Sequence, residues 1–153
     1  MKKKTKAVAK RKKKAPDLRA RLEAIAGSED FENDSLDLVV ELEKAPLDDA
    51  TQLPAVLVFM EEHPDVDYGG PGALVHFVEQ FNGPSYEAAL LASLERRPTF
   101  ITTMLLNRLI NGTKGAKKRE LLIDAMRTAG SHRRLPADAA DHVREYLERL
   151  ASL

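Results

Sequence analysis

From Asp17 onward, apolar residues recur three and four positions apart, and nowhere do they alternate with polar ones over a sustained stretch. That period belongs to helices burying one face against a core. It predicts eight helices, over residues 17–26, 35–44, 53–62, 71–82, 85–96, 98–111, 115–129 and 136–151. Pro54, Pro71, Pro84, Pro98 and Pro136 each stand at or just before the start of such a run, where a missing N–H does no harm. Gly27, Asn82-Gly83, Asn111-Gly112 and Gly130 close several of them. The run Val56-Leu57-Val58-Phe59-Met60 would pass for a buried strand, but Pro54 before it and Glu61-Glu62 after it fit a helix better.

Two runs say more. Phe100, Ile101, Met104, Leu105, Leu106, Leu109 and Ile110 cover most of their helix's circumference, which places that helix near the centre. The last helix carries Val143, Tyr146, Leu147 and Leu150 on one stripe, with Glu145 and Arg149 at a favourable i,i+4 spacing. Short connections between helices of similar length imply antiparallel neighbours. The expected fold is therefore all-α, a stack of helical hairpins as in HEAT-type solenoids. The irregular proline spacing argues against a true repeat.

With 153 residues there is enough chain for one domain with a sizeable core. The absence of cysteine excludes disulfides, thiolate metal sites and a cysteine nucleophile. No apolar run is long enough to span a membrane, and the basic N-terminus lacks the apolar core of a signal peptide. A cytoplasmic protein is expected. Residues 1–15 are Lys/Arg-rich with a single Val, too polar to offset their ordering entropy, so they read as a disordered tail. Residues 16–153 then form a single domain.

Charge changes the picture most. The formal net charge is zero, yet residues 1–14 hold nine cations and no acid. Residues 28–67 hold thirteen acids and one cation, Lys44. Blocks of one sign are either solvated or meant for an opposite partner. Asp34, Asp37 and Glu41 fall on one stripe of the second helix, and Asp48, Asp49, Glu61, Glu62, Asp65 and Asp67 continue the same sign. The last acids of that helix lie too far along it for its dipole to explain them. Read as a binding face, these nine acids suit a basic protein, with charge supplying fast association and specificity. The bland alternative is a solvated acidic surface.

Catalytic signatures are missing. His63-Pro64-Asp65-Val66-Asp67 gathers metal-type ligands in a loop, but at no recognised spacing, so a solvated loop with no metal or cofactor is expected. Gly69-Gly70-Pro71-Gly72 lacks the spacing of a phosphate cradle and reads as a tight turn. Ser85 and Ser93 have no nucleophile elbow around them, and no triad assembles. The expectation is a non-enzyme. His76 lies off the apolar stripe, with Glu79 and Gln80 in reach along the same helix, and Arg108 sits in a largely apolar run. His76, Glu79 and Arg108 either line a pocket or brace neighbouring helices.

One stretch, residues 59–111, carries a pattern. Gly70-Pro71-Gly72 is followed by Leu74-Val75-His76-Phe77, then by Gly83, Tyr86, Leu90 and Ser93-Leu94, then by Arg97-Pro98-Thr99 and Asn107-Arg108-Leu109-Ile110-Asn111. It resembles small helical bacterial immunity-type proteins of polymorphic and contact-dependent toxin systems. The resemblance implies a HEAT-like protein that neutralises a toxin domain without a cofactor. The Lys-rich tail is not part of that pattern. It leaves open an alternative, a nucleic-acid-associated protein using the tail with Lys114, Lys117, Lys118 and Arg119, cations placed where they oppose a helix dipole.

Overall fold

A computed structural model describes residues 17–153; the basic residues 1–15 read as a tail lie outside it. Eight helices and no strand occur among the described residues. They are α1 (Leu18–Ile25), α2 (Phe31–Leu42), α3 (Gln52–Glu62), α4 (Ala73–Glu79), α5 (Pro84–Arg96), α6 (Phe100–Gly112), α7 (Ala116–Gly130) and α8 (Ala137–Ala151). The strand-like run 56–60 is helical, as its flanks indicate.

Consecutive helices pair as α1–α2, α3–α4, α5–α6 and α7–α8, and the pairs stack. Along one layer α1 packs on α3, α3 on α5 and α5 on α7; opposite it, α2 packs on α4 and α6 on α8. The expected central helix, α6, touches α3, α5, α7 and α8, and buries Leu105, Leu106 and Ile110 completely. Its partner in the core is α3, with Leu53, Val56, Leu57, Phe59 and Met60 at most 1% exposed. α6 starts on a capping box, Thr99 and Thr102 each bonding the other's backbone N–H.

Six helices keep their sequence-based bounds to within two residues, and two depart further. α2 begins four residues earlier than expected, because the Asp30 side chain accepts from the Asn33 N–H and Phe31 packs into the core. Its polar first turn hides that start from a pattern read on apolar residues alone. α4 is shorter at both ends. Gly72 precedes it at φ 85°, and a Cβ there would lie 1.6 Å from the Tyr68 carbonyl oxygen, so only glycine fits this turn. At the other end Gln80, Phe81 and Asn82 donate to carbonyls three residues back, and the chain winds out into Gly83.

Candidate functional site

An acidic concave surface lies where the loop after α1 and the start of α2 face the loop after α3. It is a cleft of about 600 Å³, lined by Glu29, Asp30, Glu32, Glu62, Asp65 and Asp67, with no Lys or Arg among its walls in the described residues. His63, Phe31 and Val66 complete it.

Its floor is rigid for local reasons. Phe31 stacks on Phe59 with ring centroids 6.2 Å apart, and Tyr68 meets both rings edge-on. The Tyr68 hydroxyl donates to the His63 carbonyl at 2.8 Å, which ties together the two ends of the 63–68 loop. Burial, and after it the Glu23 carboxylate, push the Tyr68 phenol well above the ordinary tyrosine range. Asp67 accepts from the Gly69 N–H at 2.9 Å, and Ser28 donates to Asp34 on the facing wall.

The acids singled out in the sequence divide into four groups. Glu62, Asp65 and Asp67 share this cleft. Asp34, Asp37 and Glu41 line a shallower groove on α2 against α1, where Glu41 meets Arg21 at 3.3 Å and Lys44 at 3.6 Å. Asp48 and Asp49 stay exposed in the α2–α3 connection, and Asp48 caps the backbone of Ala50 and Thr51. Glu61 leaves the surface. It is 7% exposed and holds Arg96 through two hydrogen bonds, at 2.6 and 3.2 Å. Glu29, Asp30 and Glu32, absent from the sequence-based set, take its place in the cleft.

No family model, characterised protein or solved structure matches the chain. A second cluster surrounds His76. Arg108 of α6 forms two hydrogen bonds to Glu79 of α4, the second at 3.0 Å, and this contact raises the pKa of its guanidinium. His76 is exposed, with Nδ1 3.8 Å from the same carboxylate. Gln80, which helical spacing allowed to reach His76, instead donates to Glu43 beyond the end of α2, at 2.6 Å. The Tyr86 hydroxyl is buried near this pair yet has no hydrogen-bond partner among the described residues. Here Arg108 and Glu79 bridge two helices.

The loop His63–Asp67 does not close on itself as a ligand set. His63 turns away from Asp65 and Asp67 toward Glu23 of α1, 2.8 and 3.0 Å from its two carboxylate oxygens. Of the basic cluster at the start of α7, Lys118 is paired with Glu87 at 2.6 Å, and Lys114 and Lys117 are exposed. No helix among the described residues is long and apolar enough to cross a membrane.

Proposed function

We propose that the chain is a non-enzymatic binding protein, an immunity-type protein that neutralises a basic toxin domain by receiving it on its acidic face. One observation carries the reading: six carboxylates converge on a concave, rigid-floored cleft that no Lys or Arg lines among the described residues, Arg19 meeting one of them, Glu62, from outside the walls. Five of these carboxylates form no salt bridge among the described residues, and like charges held together raise a strong local potential and repel one another, a standing cost that an opposite partner relieves. Such a surface speeds encounter and rejects acidic competitors more than it adds raw affinity. The stacked helical pairs, comparable to a HEAT-type arrangement, suit a protein whose task is to present a shaped surface.

The test begins with capture of the partner from the native cell, followed by its expression alone. The partner should be basic and should arrest growth unless this chain is co-expressed. Reversing two of the six cleft charges with the double substitution Asp65→Lys and Asp67→Lys should abolish protection while the circular dichroism stays helical. A neutral or acidic partner, or full protection by the reversed variant, would overturn the reading.

A further inference from the structure

We propose that Glu23, Glu62 and His63 form a binding site for one divalent transition-metal ion of the Zn²⁺ class. One ligand atom from each lies within 4.8 Å of those of the other two. Metal–ligand bonds of about 2.0–2.2 Å place tetrahedral donors roughly 3.5 Å apart, so small rotamer shifts close the site.

The three donors converge for reasons built into the fold. Adjacent residues on a helix point about 100° apart, which would normally separate Glu62 from His63. His63, however, is the residue at which α3 ends, with φ −123° and ψ 64°, and this departure from helical geometry turns its ring back toward α1. α1 packs on α3 and presents Glu23 there. The imidazole is held in place by Phe59, with ring centroids 4.5 Å apart, and by the Tyr68 bond to its own carbonyl. In this structure the cluster is held by the His63–Glu23 hydrogen bond, a contact that a cation replaces when the Nε2 lone pair and the Glu23 carboxylate both turn to it. Arg19 bonds one oxygen of Glu62 and leaves the other without a partner among the described residues. The cleft opens beside the cluster and supplies both negative potential and room for a water ligand.

The donor set selects the ion. One imidazole and two carboxylates suit Zn²⁺ or Co²⁺. Ca²⁺ wants six to eight oxygens and Mg²⁺ a near-ideal octahedron, neither of which three side chains on two helix ends provide. Residues 1–16 contain no His, Asp, Glu or Cys, so no side chain of that segment competes for the metal.

Calorimetric titration of the full chain with Zn²⁺, and visible absorption with Co²⁺, test the proposal. One equivalent should bind, and Co²⁺ should give the intense visible bands of four- or five-coordination. Glu23→Gln and His63→Gln should each weaken binding at least about tenfold, whereas His76→Gln should change nothing. Because Glu23 is exposed, its variant keeps the test open should His63→Gln fail to fold. Binding that survives both substitutions, binding lost with His76→Gln, Ca²⁺ bound as tightly as Zn²⁺, or no binding at all would each overturn the site.

Discussion

Tyr68 and Tyr86 show how one residue type carries opposite energetics. Both are buried, and burial pushes both phenols well above their ordinary pKa. The Tyr68 hydroxyl donates to His63, whereas that of Tyr86 is buried without a partner among the described residues. Removing a satisfied hydroxyl orphans its acceptor, and removing an unsatisfied one relieves a desolvation penalty. Tyr68→Phe should therefore lose about 1 kcal/mol, while Tyr86→Phe should be neutral or more stable, as read from urea unfolding midpoints. A raised folded-state pKa contributes stability that is complete below the unfolded value and is lost as pH rises through the folded one. Alkaline unfolding should accordingly set in above about pH 10, and each Phe variant should remove part of that loss. Glu61 was within reach of the sequence. It follows Leu53 and Leu57 at i,i+4 steps, along a row that is otherwise core, so charge alone misplaces it. The convergence of Glu23 on His63 was not legible, because forty residues separate them and only the packing of α1 on α3 joins them.

Helices α2, α4 and α6 differ in how much of their boundaries local chemistry reveals. For α6 the signal is complete: Pro98, then Thr99 and Thr102 in a reciprocal cap that is fully buried. Thr99→Ala should cost about 0.5–2 kcal/mol by chemical denaturation, since the orphaned N–H groups have no water to turn to. For α4 the signal is a single glycine. Gly72→Ala meets both a left-handed φ and the Tyr68 carbonyl, and should cost more than about 1 kcal/mol; Gly83→Ala meets only the positive φ, with open space around the new methyl, and should cost less. Equal losses at the two glycines would count against the steric account. For α2 the start was hidden because polar residues fill its first turn, where a pattern built on apolar spacing sees only a loop. Helix number and type were thus legible from periodicity, whereas a cap or a proline did not by itself fix the ends: the Asp30 cap precedes a polar first turn, and Pro71 and Pro98 each stand two residues before the helix they announce.

At the scale of the whole molecule, neutrality is the sum of two opposed parts. Residues 17–153 carry fifteen cations and twenty-four acids, and nine further cations lie in residues 1–14. The acidic block was plain in the sequence. Its division into a cleft, an ion-paired groove and one buried carboxylate was not, since the fold decides which acids meet Arg19, Arg21 and Arg96. A basic partner is attracted by the acidic excess of residues 17–153 and repelled by the nine cations of residues 1–14, which weakens its long-range steering. Deleting residues 1–14 removes the repulsive share and keeps every carboxylate of the cleft. The truncated chain should therefore associate with its basic partner faster than the full chain at low ionic strength, up to about tenfold. The two rates should converge as salt shortens the Debye length to about 3 Å near 1 M. Stopped-flow association across a salt series reads both. A slower truncated chain would mean that the basic segment itself touches the partner, and a truncation-dependent loss of duplex DNA binding would assign that segment to phosphate contacts instead.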